Sequence, residues 1–252
     1  MAGSLEAIVF GSLGTVGETS DLHRRAFNQT FRELGLEWDW SEETYVGLLE
    51  TVGGKERILA FARSYGDASI TELTATELHA YKTKVYAELV RESASVLRPG
   101  VARLVGEARS VGVLLGLATS TSLENIRSNF ETFGDTLTLG HFDAVITIDD
   151  LDRGKPAPDA HVVCMSRLGV RPSRTIAIED TEASVASAFI AGATVVATPG
   201  AVTGSQNFSS AAVSVSSLGN PETQAFLIGD GPRLDDGMVT LAWLERLIDV
   251  VA

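Results

Sequence analysis

The sequence predicts an α/β fold: a Rossmann-like parallel-sheet core with a helical cap domain inserted after the first strand. Three observations predict it. Short apolar runs alternate with helical patterns of about 10–15 residues, which is the signature of βαβ units. One interval, from about Thr19 to Val96, lacks a strand pattern and reads as consecutive helices. Polar residues able to do chemistry follow the apolar runs one after another, where open parallel sheets bind ligands.

The elements follow in order. Ala7–Phe10 is the first buried strand, and residues 111–118, 144–148, 175–178 and 193–197 are the others. In the helical interval Ser20 caps a helix through Leu34. Thr74 and Glu77 fit a capping box ahead of Leu78, Tyr81, Val85 and Leu89. The chain re-enters the core at Arg98-Pro99-Gly100. Helices are expected over 158–168 and 181–191, the second stopping at Gly192. Residues 198–221, rich in Ser, Gly and Asn, read as loop. A last helix shows one stripe of Val239, Trp243, Leu247 and Val250. The expected domains are residues 1–16 with 96–252 as the core, and 17–95 as the cap.

At 252 residues the chain is long enough to bury a core without metal or disulfide staples. Its 20 basic against 33 acidic residues give a net charge of −13, a poor match to a phosphate backbone, so no nucleic-acid partner is expected. Cys164, the single cysteine, excludes an intramolecular disulfide and favours a reducing compartment. No apolar run is long enough to span a membrane, and Met1 to Glu6 carries no basic leader pattern. A cytoplasmic protein is the expectation.

Four segments carry the candidate chemistry. Gly11-Ser12-Leu13-Gly14-Thr15 follows the first strand and Thr119-Ser120-Thr121-Ser122 the second. Gly154-Lys155-Pro156-Ala157-Pro158-Asp159 precedes a helix, and Glu179-Asp180-Thr181 ends the fourth strand. Hydroxyls and N–H groups at a helix start bind phosphate, a lysine neutralises it, and paired carboxylates hold Mg²⁺. Taken singly each has a plainer reading: Thr119 to Ser122 as helix caps, Lys155 as a solvated loop lysine, and Glu179-Asp180 as a charge pair favoured by the helix dipole. Their placement at successive strand ends favours one site.

In this order the four segments resemble motifs I to IV of the haloacid dehalogenase superfamily of phosphatases. The helical insert resembles the cap of the subfamily containing β-phosphoglucomutase, and the closer likeness is to CbbY-type sugar-bisphosphate phosphatases. The run from Thr19 to Asn28 resembles their helix after motif I, and Thr51-Val52-Gly53-Gly54-Lys55-Glu56-Arg57 their cap loop. The resemblance implies a phosphorylated small-molecule partner, a sugar phosphate or bisphosphate. Thr119, Ser120 and Lys155 would bind one phosphate. Lys55 with the Gly53-Gly54 backbone would hold a second phosphate or a sugar hydroxyl, with Glu18 and His23 close to the substrate.

The family mechanism needs two carboxylates in motif I. The first attacks phosphorus and ligates Mg²⁺; the second, two residues on, protonates the leaving group and then activates water. Here those positions are Gly11 and Leu13, so no catalytic residue is assigned. A spacing of two would place both groups on one strand face. Ser12 is adjacent, but it has no neighbouring base. For the metal, the Leu13 carbonyl, Asp180 and Glu179 remain, and Mg²⁺ is expected to bind weakly. The leading expectation is an impaired or inactive phosphohydrolase that still binds a phosphorylated ligand. Two alternatives stay open: an active sugar-phosphate hydrolase with an atypical nucleophile or an activated water, and a structural or partner-binding pseudoenzyme.

Overall fold

A computed structural model describes residues 5–251 except 12, 19, 50, 52 and 93–96. Ser12 and the expected core boundary at Val96 therefore lie outside the described residues. The chain forms two compact units, Thr19–Ala94 and the remainder.

The larger unit is built on a six-stranded sheet of order β3-β2-β1-β4-β5-β6, parallel throughout. The strands are β1 (Ala7–Phe10), β2 (Leu114–Ala118), β3 (Ala144–Ile146), β4 (Thr175–Glu179), β5 (Thr194–Ala197) and β6 (Val213–Ser214). β1 is central, with Phe10 level with Leu117 on one side and Ile178 on the other. Side chains alternate between two apolar layers, as strand geometry requires. Ile8, Phe10, Ile176 and Ile178 enter one cluster, and Val9 and Ala177 enter the other. The next odd-numbered positions, Gly11 and Glu179, therefore belong to the second layer.

Helices cover both faces. α6 (Val101–Val111) and α10 (Leu241–Val251) pack on the first layer through Leu104, Val105, Trp243 and Leu247. α8 (Asp159–Leu168) and α9 (Glu182–Ile190) pack on the second through Cys164, Met165, Val185 and Ala188. Gly116 permits the close approach of α8, because a Cβ there would lie inside 3.0 Å of Cys164 Sγ.

Several expected boundaries shift. Residues 111–113 close α6 and turn at Gly112, a left-handed residue, so β2 begins only at Leu114. The expected loop 198–221 contains β6, too short to leave a periodic signal. The stripe of the last helix is Trp243, Leu244, Leu247 and Ile248; Val239 is buried ahead of the helix and Val250 is 80% exposed.

The smaller unit contains α2 (Ser20–Glu33), α3 (Glu42–Leu48), α4 (Gly54–Tyr65) and α5 (Glu72–Glu92). Its core is aromatic, with Phe27, Phe31, Trp38, Trp40 and Tyr45 in mutual contact. Two capping expectations are corrected. Ser20 is already helical, and the capping residue of α5 is Thr71, whose Oγ1 accepts the Thr74 N–H, rather than Thr74 itself. Within α5 the buried face runs Ala75, Leu78, Lys82, Val85 and Leu89, spaced three and four, while Tyr81 is 37% exposed. Lys82 thus occupies an apolar seam position.

Candidate active site

The four segments meet at the carboxyl edge of the sheet in the larger unit. After β1 the chain does not continue as a strand: Leu13 opens α1 (Leu13–Val16), a single turn. This corrects the expectation that positions 11 and 13 share a strand face. Gly11 N–H still extends the ladder to Ile178 O, but the Leu13 side chain packs against the opposite apolar layer. The Leu13 carbonyl, expected as a metal ligand, accepts the Gly17 N–H at 2.9 Å.

Glu179 organises the site. Strand alternation turns it under the sheet, where it is fully buried. Its Oε1 accepts from Lys155 Nζ at 2.7 Å and from His161 Nε2 at 2.7 Å. A carboxylate only accepts, so His161 carries its proton on Nε2. His161 Nδ1 lies 2.9 Å from Ser187 Oγ, which also reaches the Ala157 carbonyl at 2.7 Å. Burial pulls the His161 pKa below its ordinary value, with Lys155 acting the same way against Glu179. Burial alone would raise the Glu179 pKa, but Lys155 and His161 outweigh it and hold the carboxylate below its usual range. Among the described residues, the buried Glu179 Oε2 has no hydrogen-bond partner. It fills the place of a side chain at position 11: a Cβ on Gly11 would fall inside 3.0 Å of both Glu179 Oε2 and Thr15 Oγ1.

Asp180 does the same at Gly14, where a Cβ would fall inside 3.0 Å of its Oδ2. Its Oδ1 accepts from Thr15 Oγ1 at 2.8 Å. Burial first, and then the adjacent Glu179, push the Asp180 pKa up to about 6. Arg98, which carries no sequence signal beyond the Pro-Gly that follows it, opposes that rise. Its buried guanidinium donates to the Gly14, Thr198, Pro199 and Ser216 carbonyls, tying motif I to the loop after β5.

The expected phosphate donors are partly committed to the fold. Thr119 N–H bonds Ile146 O, and Thr119 Oγ1 accepts the Thr121 N–H at 3.0 Å. This corrects the expectation that Thr119 offers a backbone donor. Ser120 Oγ accepts the Lys155 N–H at 2.8 Å, which fastens motif III to motif II. Ser122 is the cap of α7 (Leu123–Glu131), accepting from Asn125 N–H. Glu18 lies against the loop after β5, its Oε2 2.9 Å from where a Gly200 Cβ would be.

In the smaller unit Gly53, with φ +101°, precedes α4, and Lys55 pairs with Glu72 at 3.2 Å and Glu56 at 3.6 Å. A Cβ on Gly54 would strike the His79 ring. His23 Nδ1 lies 2.7 Å from Lys82 Nζ, and its ring stacks on Tyr86 at 4.0 Å. Lys82 Nζ also sits over the Phe27 and Tyr86 rings. Burial, then Arg57, lower the Lys82 pKa to about 7. Burial and Lys82 lower that of His23 well below its ordinary value. Sequence reasoning named His23 and, within the cap-loop run, Arg57 without a role, but missed His79 and Lys82; the signal was a lysine on the heptad seam of α5.

The Mg²⁺ implied by the resemblance needs several hard, anionic oxygens. Position 11 supplies none, Glu179 Oε1 serves Lys155 and His161, and Asp180 Oδ1 serves Thr15. Among the described residues no group of three His, Cys, Asp or Glu side chains could share an ion. The donor set does not fit the family's metal.

The chain matches the haloacid dehalogenase-like hydrolase family model over residues 5–192. Protein CbbY of Rhodobacter capsulatus is 36% identical over 221 residues, which is 88% of this chain and 97% of that one. The Cereibacter sphaeroides protein of the same name is 38% identical over 208 residues, 82% of this chain and 90% of its own. A crystal structure of a CbbY mutant from Rhodobacter sphaeroides, in complex with xylulose-(1,5)bisphosphate, superposes with a TM-score of 0.77. It is 38% identical and covers 84% of this chain and 94% of that one. β-Phosphoglucomutase from Clostridium difficile shares the fold, with a TM-score of 0.72 over 98% of both chains at 18% identity. The parallel sheet, the four segments along its edge and these likenesses lead to one assignment: the chain belongs to the haloacid dehalogenase-like hydrolases, among the relatives of CbbY.

Proposed function

We propose that this chain is a CbbY-like protein that binds a phosphorylated small molecule, of the sugar phosphate or bisphosphate class, without turning it over by aspartyl-phosphate chemistry. One observation carries the reading. The nucleophile's position is Gly11, and the space its side chain would occupy holds a Glu179 oxygen. Position 13 is a leucine packed into an apolar layer, so the leaving-group acid is missing too. Loss of a covalent nucleophile alone costs on the order of a million-fold in turnover.

Binding is supported by what remains. Lys155 and Ser120 stand together at the edge of the sheet. The smaller unit buries Lys82 and brings half-buried Arg57 close to it, with His23 and His79 alongside. An anion beside these groups would favour their protonated forms, and be held by them in turn. Lys55, Gly53, Gly54 and His23 in the smaller unit, and Glu18 in the larger, keep their proposed roles as substrate-binding residues. Mg²⁺ binds weakly, for want of a third carboxylate.

Calorimetric titration with inorganic phosphate tests the reading. Saturable binding is expected, weakened at least tenfold in Lys155→Ala. Binding unchanged by Lys155→Ala would remove the core subsite from the proposal.

A further inference from the structure

We propose that Glu179 is a built-in competitor for the core anion subsite: its carboxylate holds the Lys155 ammonium and fills the space left at Gly11, so phosphate binds there only by displacing it. This deepens the proposed function and rests on its assignment of Lys155 to phosphate.

Three observations carry it. Lys155 Nζ is 2.7 Å from Glu179 Oε1, with its side chain only 10% exposed, so the cation meant for phosphate already has an anion. Glu179 Oε2 has no hydrogen-bond partner among the described residues, although its atom is shut away from solvent. A buried carboxylate oxygen without a donor is an unfavourable arrangement. It persists here because Glu179 is held from the other side by His161, on α8, and by Lys155. Finally, the pose exists only because residue 11 is glycine: any Cβ there would collide with Oε2. Glycine at position 11 and this posture of Glu179 go together. The titratable groups facing Glu179 are Lys155, His161 and, from the next residue, Asp180. A phosphate beside Lys155 would add negative charge next to two carboxylates, with one cation between them.

Replacing Glu179 by glutamine keeps an oxygen for Lys155 and His161 and removes the competing charge. Inorganic phosphate is titrated into the wild type, Glu179→Gln, Lys155→Ala and the double variant, in EDTA, with circular dichroism to check folding. The expected result is at least tenfold tighter binding in Glu179→Gln, abolished when Lys155→Ala is added. Should Glu179→Gln fail to fold, carbon-13 resonances of side-chain carboxyls in the wild type give the second readout. The Glu179 carboxyl should shift as phosphate saturates the site. Equal or weaker binding in a folded Glu179→Gln, or a Glu179 resonance unmoved at saturation, overturns the proposal while leaving the subsite intact. No Lys155-dependent binding in the wild type or in Glu179→Gln overturns the subsite itself, and the proposal with it.

Discussion

Restoring an aspartate at position 11 should first cost stability. A Cβ on Gly11 enters the space of Glu179 Oε2 and Thr15 Oγ1, so the new carboxylate arrives within a few ångströms of Glu179. Two like charges about 4 Å apart repel by about 4 kcal/mol at an effective dielectric constant of 20. Lys155, already on Glu179, offsets part of that. A net loss of about 3 kcal/mol corresponds to a fall of roughly 6–12 °C in Tm for a chain of this size. The assay is thermal unfolding of Gly11→Asp in EDTA and again in millimolar Mg²⁺. A third carboxylate completes a hard-oxygen set, so Mg²⁺ should recover much of the loss while leaving the wild-type Tm unchanged. A Gly11→Asp variant as stable as the wild type in EDTA would refute the reasoning, because Glu179 would then yield its place at no cost. Adding Leu13→Asp should restore some turnover if the site otherwise survives. It must also leave the apolar layer against which Leu13 packs, a further destabilisation.

The remaining expectations concern charge. The Asp180 pKa is raised from 3.8 to about 6, so its ionised form is disfavoured in the fold. The folded chain then holds a proton that the unfolded chain releases, and stability falls as pH rises from about 4 through 6. Asp180→Asn should remove that slope and raise stability at pH 7 by about 1–3 kcal/mol, read by urea unfolding across pH. Lys82 shows the mirror case, lowered from 10.5 to about 7. The unfolded chain binds the extra proton, so stability climbs between pH 7 and 10. Lys82→Met, an apolar side chain on the α5 seam, should flatten that rise and increase Tm at pH 7 by several degrees; a lower Tm would mean that the His23 and ring contacts outweigh desolvation.

The parallel sheet was legible because its buried strands are short apolar runs set between helices of a different period. β6 was not, since two residues carry no periodicity. The order of the four site segments could be read from sequence, but their commitments could not. Thr119 N–H bonds the sheet and Lys55 pairs with Glu72, a partner 17 positions away in sequence. His161 lies in a helix whose inward face is otherwise Ala160, Cys164 and Met165, where a histidine reads as core filling. Only the fold brings it to Glu179. Arg98 bonds carbonyls as far away as Ser216, a long-range arrangement without a local pattern. The most misleading inference extended strand alternation past Phe10; one turn of helix at Leu13 sends that side chain to the other layer.

The central claim is that an intact fold has lost its phosphoryl-transfer chemistry at Gly11 and Leu13. It is tested most directly by phosphate release from xylulose-1,5-bisphosphate, the ligand of the CbbY mutant crystal, with purified wild-type chain in excess Mg²⁺. Phosphate monoester hydrolysis is so slow that enzymes accelerate it by up to ~10²¹-fold, and donors without a nucleophile cannot supply that. The expected result is release at the level of the protein-free blank. Release proportional to protein concentration, and surviving Ser12→Ala and Glu18→Gln, would contradict the account and point to direct attack by water.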